Sequence, residues 1–129
     1  VLTTYPLAVV YIITSDKDYL QLAEPRVHLY NLAFKKLTDQ KSSTNDPGCD
    51  LFCKIVTGDP SDNIGSVFPK CGSKTALKYF ANRDLFEEKL KSSLEFQKKY
   101  ELNSTLIDFN NIPAELVNEF MNNAGFYNE

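Results

Sequence analysis

The sequence predicts an α/β fold that turns all-helical near residue 46, and three observations carry that prediction. Leu7 to Thr14 is an almost uninterrupted apolar run with β-branched residues, as in a strand buried on both faces of a parallel sheet. Two shorter strand-like runs follow, Arg26–Tyr30 and Phe34–Leu37. From Asp46-Pro47 onward every periodic segment has helical spacing. At 129 residues, 43% of them hydrophobic, the chain is long enough for a cored domain. It divides into an α/β part, residues 1–45, and a helical part, residues 46–129. A strand needs neighbours to pair with, so further residues are expected upstream of Val1.

The elements follow in order. The first strand ends at Ser15-Asp16, at the carboxyl edge where open α/β sheets bind their ligands. Asp18 to Leu22 starts a short helix, and Lys41 to Asn45 is a polar loop. Asp46 is an N-cap acceptor with proline at the first helical position. Cys49, Phe52, Cys53 and Val56 line one face of that helix, and Gly58 ends it in a left-handed cap. Asp59 to Cys71 is a loop without a period. Ser73 to Ala81 is a helix with Ala76, Leu77 and Phe80 inward, and Asn82 caps a third that ends near Leu90. Ser92-Ser93-Leu94-Glu95 reads as a capping box for a fourth, running to about Asp108. Pro113 starts a fifth, with Leu116, Val117, Phe120 and Met121 inward.

Composition narrows the function classes. No segment resembles a signal peptide or a membrane span, because the opening apolar run is too short and lacks a basic flank. An odd cysteine count of 3 fits free thiols in a reducing, intracellular compartment. Cys49 and Cys53 lie one helical turn apart; they could pair as metal ligands, but two small buried residues is the simpler reading. His28 is a strand residue rather than a catalyst, and Asn103-Ser104-Thr105 is a chance sequon inside a helix. The net charge of −3 is unevenly spread: residues 1–66 carry −2, residues 67–100 carry +4 and residues 101–129 carry −5. A basic block between acidic ones is the footprint of a localised anion-binding surface. No clamp-binding motif is visible after Asn122.

Two acidic clusters carry the chemistry. Asp16 and Asp18 sit at a strand end, and Asp59 and Asp62 lie three residues apart in a tight turn. Either pair alone is common in capped turns. Together, four carboxylates repel unless a cation neutralises them, and hard oxygen ligands suit Mg²⁺ or Mn²⁺. Two such ions about 4 Å apart activate a water and stabilise the leaving oxygen of a phosphodiester. Downstream, a loop leads into a helix N-terminus whose N–H groups and dipole suit a phosphate. Lys70, Gly72, Ser73, Lys74, Thr75 and Lys78 supply the donors. Gly72-Ser73-Lys74-Thr75 is not a nucleotide-binding P-loop, since serine stands where glycine should precede the lysine and no strand leads in. Contacts of this kind grip the phosphate chain without reading bases.

The blocks Thr14-Ser15-Asp16-Lys17-Asp18-Tyr19-Leu20-Gln21-Leu22 and Ile55-Val56-Thr57-Gly58-Asp59-Pro60-Ser61-Asp62-Asn63-Ile64 resemble two signatures of the 5′-nuclease superfamily, the flap endonucleases and 5′–3′ exonucleases. Leu102 to Pro113 is similar to the phage and large-DNA-virus branch, with its RNase H-like enzymes. The resemblance implies that residues 1–45 are the C-terminal part of a PIN-like nuclease domain and residues 46–129 a DNA-binding region with a helix-three-turn-helix. It implies that Asp16, Asp18, Asp59 and Asp62 ligate two divalent ions and that the hairpin holds K⁺. The hairpin Phe68-Pro69-Lys70-Cys71-Gly72 departs from the family's Gly-Ile-Gly turn by keeping one glycine. The family's other metal ligands lie in an N-terminal half, so this chain holds half a site and is expected to be weak or inactive alone. The expected activity is hydrolysis of DNA at 5′ ends or junctions in replication or repair, by a monomer in the nucleus or cytoplasm, including that of a virus-infected cell. A non-catalytic duplex-binding module is the alternative, and a PIN-type ribonuclease a third.

Overall fold

Two short parallel strands floor the N-terminal region: β1, Val10–Ile13, and β2, Val27–Tyr30, paired from Val10–Val27 through Ile13–Tyr30. The computed structural model describes residues 1–125. The tail read above for a clamp motif lies outside the described residues from 126 on. β1 is shorter than its apolar run and buries only one face. Ile12 packs on Leu20, Leu29 and Leu37, while Val9, Tyr11 and Ile13 are 51%, 63% and 52% exposed. The expectation of a strand buried on both faces is therefore corrected: among the described residues nothing covers the second face. His28 lies in β2 with its ring 5.2 Å from that of Tyr11.

Phe34–Leu37 is not a strand. The side chain of Asn31 accepts from the backbone N–H groups of Ala33 and Lys35, which folds the chain into a turn with Phe34 at φ +58°. A side-chain acceptor so close offers the backbone an alternative to a ladder, and β-propensity loses to it. Only one bridge, Tyr30 to Lys36, survives, and a 3₁₀ turn Leu37–Asp39 follows.

Among the described residues five α-helices follow: α1 Pro47–Thr57, α2 Ser73–Ala81, α3 Arg83–Lys91, α4 Leu94–Ile107 and α5 Ala114–Asn123. Asp46 caps α1 by accepting from Gly48 and Cys49, with Pro47 leading the helix, as its sequence requires. Asn82 accepts from Leu85 and starts α3. The cap of α4 is Ser93, which accepts from the N–H of Glu95, while Ser92 closes α3 by donating to Lys89. The cap thus lies one residue later than expected, and the position for a reciprocal bond falls on Phe96 in place of Glu95.

α1, α2, α3 and α4 enclose a core of Phe52, Val56, Val67, Phe68, Cys71, Ala76 and Phe86. Phe86 is 1% exposed, with ring centroids 4.9 Å from Phe52 and 5.4 Å from Tyr100. Edge-to-face rings at such spacing add attraction beyond their burial. Arg83 lays its guanidinium 4.4 Å from the Phe52 ring centre. The loop between α1 and α2, which has no period, nevertheless sends Val67, Phe68 and Cys71 into this core.

Two expectations of burial fail here. Leu77 is 41% exposed. On α5, Leu116, Val117 and Phe120 are 56%, 41% and 65% exposed, because no described element packs broadly against that face. The apolar spacing made the helix correctly, but burial also needs a partner.

Candidate functional site

Each acidic cluster begins with an acid that caps a turn. Asp16 follows β1, and its Oδ1 accepts from the N–H of Asp18 at 2.9 Å, opening a 3₁₀ turn Lys17–Leu22. Asp59 follows α1, and its Oδ1 accepts from the N–H and the hydroxyl of Ser61 at 3.0 and 2.6 Å, opening the 3₁₀ turn Pro60–Asp62. Paired bonds between Asp59 and Ile64 close that loop, and Asn63 takes a left-handed conformation within it.

Gly58 makes the junction possible. Its φ of +76° is in the region that disfavours side chains, and a Cβ there would lie 2.4 Å from the Ile64 carbonyl oxygen. Its ψ of −169° is extended, so it redirects the chain instead of forming the expected left-handed helical cap.

Lys54 joins the two clusters. Its Nζ lies 2.6 Å from Asp18 Oδ1 and 2.9 Å from Asp59 Oδ2. The side chains of Lys54, Asp18 and Asp59 are 23%, 21% and 14% exposed, so the triad is largely withdrawn from solvent. Asp18 Oδ1 is itself buried and, among the described residues, receives no well-aligned hydrogen bond; the Lys54 ammonium compensates it. Burial works against the Lys54 charge, but its close ion pairs with Asp18 and Asp59 outweigh it and raise its pKa above the ordinary lysine value. Asp59 is drawn down to about 2, first by the Ser61 hydroxyl and then by the Lys54 ammonium.

Nothing about Lys54 marks it in the sequence. It is one lysine near the end of a helix, and only the tertiary meeting of two distant acids gives it a role. Asn103 and Gln21 escaped notice for a similar reason. Asn103 is 3% exposed, and its amide donates to the Ile55 and Gly65 carbonyls at 3.0 and 2.8 Å, fixing the ends of the segment that carries Asp59. Gln21 donates to the Asp18 and Ile107 carbonyls and accepts from Phe109 N–H, tying the turn that carries Asp18 to the end of α4.

The four acids divide unequally. Asp18 and Asp59 meet on Lys54, whereas Asp16 and Asp62 are exposed beside them. Carboxylate oxygens, one of them buried without a hydrogen bond, are the donor chemistry a hard divalent ion takes. Among the described residues, however, no three His, Cys, Asp or Glu side chains stand close enough to hold an ion. The cysteines do not compensate: Cys49 and Cys53 are 4.0 Å apart on α1, and burial, with Cys49 beside it, pushes the Cys53 thiol up to about 12.

The anion-binding candidates lie at the start of α2. Gly72 occupies the N-cap without a side-chain bond, so the first N–H groups of the helix have no capping side chain. Lys70, Ser73, Lys74, Thr75 and Lys78 are all exposed, and none of these lysines has an ion pair among the described residues. Lys70 holds φ +54°, a left-handed conformation where a hairpin more commonly uses glycine. A cavity of about 240 Å³ is lined by Lys17, Asp18 and Lys54 together with Ser73 and Leu77 of α2.

No family model matches the chain. The chain is similar to a Ribonuclease H from Enterobacteria phage T4, at 28% identity over 133 residues covering 92% of this chain and 42% of that protein. It thus spans less than half the length of the curated relative it matches. No helix among the described residues is long and apolar enough to cross a membrane.

Proposed function

We propose that the chain is the C-terminal part of a divalent-metal-dependent 5′ nuclease that hydrolyses DNA at 5′ ends or junctions without regard to base sequence. The observation that carries this reading is the convergence of Asp18 and Asp59, from segments far apart in the chain, on Lys54, with Asp18 and Lys54 lining a cavity that Ser73, the first residue of α2, also lines. An acidic pair and an uncapped helix start that share one cavity suit a phosphodiester: the acids position metal and the helix N–H groups take the phosphate. In this reading Asp16, Asp18, Asp59 and Asp62 hold Mg²⁺ or Mn²⁺ together with acids supplied from outside this chain, two ions in all. When bound, the metal supplies charge stabilisation and an activated water. Lys70, Gly72, Ser73, Lys74, Thr75 and Lys78 hold the duplex, and the hairpin before α2 is where K⁺ would sit. The protein acts as an intracellular monomer.

In the longer protein, Asp16→Ala or Asp62→Ala is expected to abolish cleavage of a 5′-flap DNA while duplex binding persists. Undiminished Mg²⁺-dependent cleavage by those variants would overturn the reading. The absence of a converged triple of acids among the described residues favours one alternative, a duplex-binding module without catalysis. It predicts salt-sensitive binding that is lost in Lys74→Ala, and no cleavage by the longer protein. Offering RNA and DNA flaps side by side separates the DNA nuclease from a PIN-type ribonuclease.

A further inference from the structure

Lys54 occupies the place of a cation. Its ammonium bridges two carboxylates that come from different segments, the turn after β1 and the turn after α1. Without it, Asp18 and Asp59 would face each other largely out of water, and Asp18 Oδ1 would have no compensating group at all. A lone lysine against two carboxylates still leaves net negative charge, and exposed Asp16 and Asp62 add to it, with Lys17 the other cation beside Asp18.

We infer that Lys54 is the resident counter-ion of this site: it holds Asp18 and Asp59 together while no metal is bound, and a divalent cation must displace it to bind them. The inference rests on the proposed metal chemistry and concerns how that site is occupied. A divalent ion held by Asp18 and Asp59 would share their carboxylates with the Lys54 ammonium, and like charges sharing one partly desolvated site repel strongly. The lysine keeps its proton and moves. Its side chain is partly exposed, and its flexible four-carbon stem can carry the charged head into water while the stem stays packed on α1. The exchange needs no proton transfer and breaks no covalent bond.

The test is Mn²⁺ binding, followed by electron paramagnetic resonance of the free ion, to the longer protein carrying Lys54→Met or Lys54→Arg. Lys54→Met keeps much of the stem's volume without charge and is expected to tighten Mn²⁺ binding at least about tenfold. Lys54→Arg, which retains the charge, should bind no tighter than the parent. Thermal unfolding supplies a readout independent of affinity. Without metal, Lys54→Met should melt below the parent, and saturating Mn²⁺ should raise its melting temperature by more than it raises the parent's. Equal or weaker Mn²⁺ binding by Lys54→Met than by a parent that binds Mn²⁺ would overturn the inference, and a lack of Mn²⁺ binding by all three proteins would overturn it together with the metal site it rests on. The first result leaves the nuclease reading intact, since that reading stands or falls on cleavage by the Asp16 and Asp62 variants of the longer protein.

Discussion

Residues 47–107 enclose a core of their own, whereas the strand region encloses half of one. Around Phe86 the rings of Phe52, Phe68, Tyr79 and Tyr100 close from several sides. Under the two strands, three buried leucines, Leu20, Leu29 and Leu37, support a sheet whose other face displays Val9, Tyr11 and Ile13. The difference teaches where the site draws its rigidity. Asp59 is mounted on the self-sufficient region, Asp18 on the dependent one, and Lys54 spans the seam between them.

The largest expected effect tests that asymmetry directly. Phe86→Ala should cost about 3–5 kcal/mol, because a large ring leaves a cavity that its neighbours cannot fill. Leu29→Ala, in the thinner cluster, should cost roughly 2 kcal/mol, at the low end for a buried leucine. Chemical denaturation measures both, and equal losses would break the contrast.

A middle-sized effect sharpens it. Asn103→Ala removes the donor to the Ile55 and Gly65 carbonyls and should cost about 1–3 kcal/mol, the penalty for buried acceptors left unpaired. Loss of hydrogen-exchange protection concentrated in residues 58–66, with the strands unaffected, would place the damage on the Asp59 side of the seam. Uniform loss would argue that the two regions open together.

The smallest effect is electrostatic and lies in acid. The pKa of Asp59 is lowered in the folded chain to about 2 from an ordinary 3.8, so its stabilising contribution is present above pH 4 and is lost as the pH falls toward 2. A denaturation series between pH 5 and pH 2 should steepen across that window for the parent and flatten in Asp59→Asn. An unchanged slope in the variant would show that Asp59 is not the group responsible.

Much of the helical region was legible because its punctuation is local. Asp46-Pro47 and Asn82 carry their own capping chemistry, and the structure starts α1 and α3 at those residues. The failures share a different cause. Phe34–Leu37 has strand-like residues, but the acceptor that bends it, Asn31, lies outside the window its propensity describes. Leu116, Val117 and Phe120 have the right spacing for an inward face, yet spacing says nothing about what stands opposite. In the site, both acidic pairs were visible as pairs. What joins them was not, because Lys54 looks like any solvated lysine until the chain has brought Asp18 to Asp59. Asn103 was legible only as a glycosylation pattern, when its amide is in fact a buried two-carbonyl clamp.

α4 is 14 residues long, and its C-terminal half carries two fixtures: Asn103, which holds the turn bearing Asp59, and the Ile107 carbonyl, which receives Gln21 beside Asp18. The helix therefore acts as a gauge bar between the acids. Each residue along a helix advances the bearing by roughly 100° and the length by about 1.5 Å. A single residue inserted or deleted between 103 and 107 would leave every side chain of the site intact and still turn one fixture away from its seat. The spacing of those two anchors, four residues apart on one helix face, is thus as much a part of the acidic site as the carboxylates.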